Sequence, residues 1–106
     1  MKNLNQKEPL QLELEFDQIR ERHFCFTGKL RRFTRKQAFQ ILELFGGSGD
    51  QTVKRNTQYL VIGKQLQKTK DGKSIKYRRA EDLKEKGQDI KILPEQDFYD
   101  LLRESI

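Results

Sequence analysis

Apolar and polar residues change period several times along this 106-residue chain, and each change marks an element. Leu10-Gln11-Leu12-Glu13-Leu14-Glu15-Phe16 alternates strictly, with the two-residue period of an extended segment. His23-Phe24-Cys25-Phe26 is a short apolar run that halts at Thr27-Gly28, as a buried strand does. Lys29 to Phe33 form a basic loop, and Thr34-Arg35-Lys36-Gln37 has the spacing of a capping box, in which hydroxyl and amide side chains satisfy orphan backbone N–H groups. Ala38, Ile41, Leu42 and Phe45 follow on one helical face, and Gly46-Gly47 end that helix with one glycine left-handed. Residues 48–53 predict a short strand, Lys54 to Thr57 a turn, and Tyr59-Leu60-Val61-Ile62 a second buried strand. A helix from Ser74 to Glu85 turns Tyr77, Ala80 and Leu83 inward and stops at Gly87. Asp89 to Leu93 alternates around Ile90 and Ile92, the pattern of a strand near a sheet edge. Pro94 suits the first position of a last helix, Glu95 and Asp97 its first turn, and Phe98, Leu101 and Leu102 its buried face.

Short apolar strands alternating with helices imply an α/β fold, a parallel sheet with helices on both faces. Residues 1–22, polar at first, are expected to be a flexible N-terminal extension, and residues 23–106 a single domain. Charged residues make up 36% of the chain, and no apolar run approaches membrane-spanning length or the core of a signal peptide. The single cysteine, Cys25, cannot form an internal disulfide and lies in an apolar strand, which suits a buried, inert thiol in a reducing cytoplasm.

Charge sharpens the picture. Of the net +6, residues 23–79 hold +11, while residues 1–22 carry −1 and residues 80–106 carry −4. Such polarity argues for an anionic partner on one side of the fold, with a merely solvated surface as the plainer alternative. A strand that delivers a hydroxyl and a glycine amide, Thr27-Gly28, to the start of a helix is a natural place to hold a phosphate. Catalysis has little to work with. The one histidine, His23, has no Ser-His-Asp or Cys-His set around it, and His23 with Cys25 does not make a metal site. A non-catalytic binding module, with no metal and no cofactor, is expected.

Phe-Thr-Gly, Gly-Gly, Thr-x-Tyr-Leu-Val-Ile-Gly and Phe-x-x-Leu-Leu, in this order and spacing over residues 23–102, resemble a BRCT domain. The likeness is closest to the single BRCT modules of bacterial NAD-dependent DNA ligases and of the large subunit of replication factor C. It implies a four-stranded parallel sheet of order 2-1-3-4, with two helices on one face and one on the other. In phosphate-binding members of that family the contacts are a Thr and Gly after the first strand, an Arg in the first helix and a Lys in the second. The resemblance carries these roles to Thr27, Gly28, Arg35 and Lys76, the last placed by its spacing to Arg79-Ala80. With that strand order the chain leaves the first and third strands in opposite directions, and a crevice opens at their carboxyl ends. The family's common tryptophan in the last helix is absent and Phe98 stands in its part of the pattern. One repeat cannot build the groove by which tandem BRCT pairs read phosphopeptides.

Lys29, Arg31, Arg32, Lys68, Lys70, Lys73 and Arg79 extend the basic area and suit a nucleic-acid backbone. Upstream, Gln11, Leu12, Leu14 and Phe16 resemble the peptide by which bacterial replication proteins dock on the sliding clamp, although an edge strand or packed linker explains the alternation too. The expected function is a module of bacterial DNA replication and repair that binds 5′-phosphorylated ends or gaps, working in the nucleoid-associated cytoplasm. The alternative is a protein-interaction adaptor for a phosphopeptide or the sliding clamp, and either one fits the BRCT portion of a DNA ligase or a 3′–5′ exonuclease.

Overall fold

A computed structural model of the chain describes residues 18–65 and 72–104. Among them four strands, β1 (His23–Thr27), β2 (Ser48–Asp50), β3 (Tyr59–Ile62) and β4 (Lys91–Pro94), alternate with three helices, α1 (Arg35–Leu44), α2 (Ile75–Glu85) and α3 (Glu95–Glu104). Every strand pair is parallel and the order is β2-β1-β3-β4. This is the α/β architecture expected from the alternation of short apolar runs and amphipathic segments.

The two-residue period of a strand sorts the core into two layers. Phe24 and Phe26 of β1 and Val61 of β3 face α1 and α3, where they meet Ala38, Leu42, Phe98, Leu101 and Leu102. Cys25 and Leu60 face the other way and pack with Val53, Ala80 and Ile90 under α2. The first layer is aromatic: Phe98 sits edge-on to Phe26 with centroids 5.2 Å apart, and Phe24 stacks on Tyr59 at 4.6 Å. Phe98, fully buried, fills the centre of this layer.

Local signals hold at the helix ends. Thr34 caps α1, accepting from the Gln37 N–H, while the Gln37 side chain accepts from the Thr34 N–H at 2.9 Å, so the capping box is complete. Gly46 takes φ +83° just past the end of α1, the left-handed stop expected there. The Lys54 to Thr57 turn is closed by the Thr57 N–H on the Lys54 carbonyl at 3.0 Å and the Lys54 N–H on the Thr57 hydroxyl at 2.8 Å.

Three boundaries differ from those expected. β2 ends at Asp50, three residues early. Pro94 closes β4, paired with Ile62, instead of opening the last helix. Lacking an N–H, it is tolerated at the end of a strand that has a neighbour on one side alone. Residues 18–22, counted with the extension, pack on the domain. Ile19 is fully buried in the larger core, the Glu21 N–H donates to the Gly46 carbonyl at 2.8 Å, and the Ser48 N–H donates to the Arg22 carbonyl at 2.9 Å. The Gln11 to Phe16 motif, with Leu12 and Leu14, lies outside the described residues, as do Lys68 and Lys70.

Candidate functional site

After β1 and β3 the chain departs to opposite faces of the sheet, α1 on one and α2 on the other. Before parting, the two exits are locked together: Lys29 and Lys64 exchange backbone hydrogen bonds at 2.8 and 2.9 Å. Gly28 lies inside this crossing with φ +83°, and a Cβ there would come within 2.5 Å of the Lys64 carbonyl oxygen and of Gln65 Nε2. Only glycine fits, and its amide donates no hydrogen bond among the described residues.

The crossing opens into a cleft of about 930 Å³ between the β1–α1 loop and the first turn of α2. Thr27 is an odd-numbered residue of β1, so its side chain shares the α2 face with Cys25. Its hydroxyl donates to Ser74 Oγ at 2.8 Å. Ser74 is the N-cap of α2 and also accepts from the Tyr77 N–H at 3.1 Å, which leaves its own hydroxyl proton for a further acceptor. Two residues on, the Lys76 ammonium donates to the Phe26 carbonyl at 2.7 Å. From the opposite wall Arg35 Nη2 donates to the Gly28 carbonyl at 2.8 Å. Thr27, Gly28, Arg35 and Lys76, taken from β1 and two different helices, thus line one cleft, and each cation keeps further N–H donors beyond its carbonyl bond.

Electrostatics follow from this crowding. Burial lowers the pKa of Lys76, the Cys25 thiol beneath it acts in the opposite sense, and the Arg35 charge lowers it further. Burial pushes the Cys25 thiol up, against the pull of Lys76. An ammonium that is half-buried beside a guanidinium is short of negative charge, which an anion in the cleft would offset. Among the described residues the cleft lining holds seven Lys or Arg side chains and no carboxylate.

The remaining basic residues separate into groups. Lys29, Arg32 and Lys73 line the cleft with Arg31, but they are not equivalent. Lys73 pairs with Glu81 at 3.0 Å and lies over the Tyr77 ring. Arg31 is tied to α3: its backbone N–H donates to Glu95, which also accepts from the Tyr99 hydroxyl, and its Nη2 donates to Gln96 Oε1 at 3.1 Å. Burial first and the Glu95 acceptor second push the Tyr99 phenol up. Arg79 is not brought to the cleft. Its Nε donates to the Val53 carbonyl at 2.7 Å and pins α2 to the loop after β2, while its neighbour Arg78 lines the cleft instead. Ser74, Arg78 and Gln65, which donates to the Gly63 carbonyl at 3.0 Å, went unassigned to the site from sequence; the cap position of Ser74 was legible, its meeting with Thr27 was not. Among the described residues no group of three His, Cys, Asp or Glu side chains is placed to hold a metal, and no helix is long and apolar enough to cross a membrane.

A parallel sheet whose neighbouring central strands send their helices to opposite faces, with a cationic cleft at the point of parting, defines a doubly wound α/β module. The family model for the BRCA1 C Terminus (BRCT) domain matches residues 17–102, and the chain belongs to that family. The matched range begins close to the first described residue, ahead of the boundary expected at residue 23. Curated relatives are DNA ligases. That of Thermotoga maritima is 32% identical over 90 residues, 85% of this chain and 11% of the ligase. That of Fusobacterium nucleatum is 35% identical over 80 residues, 76% of this chain and 10% of the ligase. That of Natronomonas pharaonis is 33% identical over 95 residues, 90% of this chain and 12% of the ligase. The chain spans about a tenth of the length of these relatives.

Proposed function

We propose that this BRCT domain is a DNA-binding module of replication or repair that recognises 5′-phosphorylated ends or gaps. The observation that carries the reading is the convergence of the Thr27–Ser74 hydroxyl pair, the Gly28 amide, Arg35 and Lys76 on one cleft with no carboxylate among its described lining residues. A terminal phosphate monoester carries up to two charges and three acceptor oxygens, which these donors match. The basic lining continues beyond what one phosphate needs, and the relatives are DNA ligases. Ser74 passes the Thr27 hydrogen bond onward, so the two hydroxyls polarise each other toward the ligand.

Fluorescence anisotropy with a duplex carrying a 5′-phosphate or a 5′-hydroxyl tests this. The phosphorylated duplex is expected to bind at least tenfold tighter, and Lys76→Glu to abolish the difference. The slope of log affinity against log salt should correspond to several neutralised phosphates, about −0.9 for each. Equal affinity for both duplexes, unchanged by Lys76→Glu, overturns the reading.

A further inference from the structure

We propose that the cleft takes the 5′-terminal nucleotide of its ligand unpaired, with its base against Ile75 and the following phosphodiester on Arg32; this rests on the phosphate reading above. At about 930 Å³ the cleft lies in the range that encloses a whole small molecule and is far larger than one phosphate group. Its wall is not uniformly polar. Ile75 opens α2 between Ser74 and Lys76, lines the cleft and is 86% exposed, one of two large apolar side chains so exposed among the described residues. Half-buried Phe33 adds apolar surface on the opposite wall. Apolar surface beside hydroxyl, amide and ammonium donors fits a ligand whose phosphate is linked through a sugar to a flat, weakly polar base.

The two neighbouring arginines show where the strand continues. Arg31 is engaged with Glu95 and Gln96 and acts as scaffold. Arg32 is held at both ends by one residue: its backbone N–H donates to the Tyr99 hydroxyl at 3.2 Å, and its guanidinium lies 5.2 Å from the Tyr99 ring centroid. Among the described residues that guanidinium makes no hydrogen bond or ion pair. A guanidinium held over a ring, with its fork of donors unengaged among the described residues, is prepared for a second anion. Two anion positions on one cleft that also presents apolar surface describe a nucleotide within a strand. A base placed between the β1–α1 loop and α2 would, if paired, carry its partner into the same walls.

The test compares four DNAs by anisotropy: a blunt duplex, and the same duplex with three unpaired nucleotides at the 5′ end, each with and without a 5′-phosphate. A phosphoserine peptide is the fifth ligand. The wild-type domain is expected to bind the unpaired phosphorylated end at least fivefold tighter than the blunt one, and the peptide weakest. Ile75→Ser, at an exposed position that leaves the fold intact by thermal melting, should erase that preference while phosphate dependence persists. Arg32→Gln should weaken the unpaired phosphorylated end several-fold and leave the peptide unchanged. Equal binding of blunt and unpaired phosphorylated ends, a preference that survives Ile75→Ser, or peptide binding as tight as DNA each overturns this proposal while the phosphate reading stands. Loss of all phosphate dependence overturns both.

Discussion

The two faces of the sheet are built on different principles. Under α1 and α3, eleven buried residues close around Phe24, Phe26 and Phe98, and shape and apolar area hold the layer. Under α2 there are five, and Ala80 is the single buried residue that α2 itself contributes. Half-buried Tyr77 and Leu83 pack against this layer, and polar ties complete the hold on α2: Thr27 to Ser74, Lys76 to the Phe26 carbonyl, and Arg79 to the Val53 carbonyl. The same hydroxyl and ammonium that tether the helix line the cleft, so the face that contributes least to the core is the one free to present donors. A densely packed layer cannot hold unpaired donors without a desolvation cost, and a thin one beside solvent can.

Substitutions should tell the faces apart. The largest effect is expected for Phe98→Ala, which opens a cavity at the centre of the aromatic layer and should cost about 3–5 kcal/mol in urea unfolding. A loss below about 1 kcal/mol would show that the α1/α3 layer does not carry the fold. Lys76→Met sharpens the contrast from the other side. It leaves the Phe26 carbonyl without its donor but also removes a half-buried charge, so stability should move by no more than about 1 kcal/mol. Affinity for the phosphorylated duplex should nevertheless fall at least tenfold; a melted protein instead would make Lys76 part of the fold rather than of the site.

A smaller effect is expected with pH. Binding should strengthen from pH 5 to 7 as the phosphate monoester gains its second charge, at a pKa of about 6. On the alkaline side the sign comes from Lys76. Its folded-state pKa is lowered, chiefly by burial, so the ammonium is lost at a lower pH than the ordinary 10.5 and affinity declines earlier than in Lys76→Arg, which stays charged. Parallel alkaline limbs for the two proteins would remove Lys76 from the contact. The smallest expected signal is from Cys25. It is fully buried with its pKa raised by burial, so a thiol reagent should label it at the rate of unfolding and no faster. Its raised folded pKa stabilises the domain below about pH 9, and that contribution is lost as pH climbs through the folded value. Rapid labelling of the native domain would mean that α2 lifts from the sheet.

Much of the site was legible early because its parts are local signals with rigid consequences. Thr27-Gly28 after an apolar run, and Ser74 before a helical stripe, are a strand end and a cap in almost any fold. Arg79 shows the limit. It is three residues from Lys76, yet its guanidinium is taken by a carbonyl of the loop after β2, a partner 26 residues away. Arg31 and Arg32 show it again: neighbours of the same type that both meet α3, separated in role because Arg31 is hydrogen-bonded to Gln96 while Arg32 touches the Tyr99 ring.

The order of short apolar runs, the capping box at Thr34, the left-handed stop after α1 and the basic middle of the chain belong to the sequence alone, since each depends on residues within a few positions of one another. Which cations stay available, that Ile19 is core rather than extension, and that Thr27 meets Ser74 across 47 residues were decided by tertiary structure. Long-range hydrogen bonds and burial depend on which elements the strand order brings face to face, and no local pattern encodes that distance.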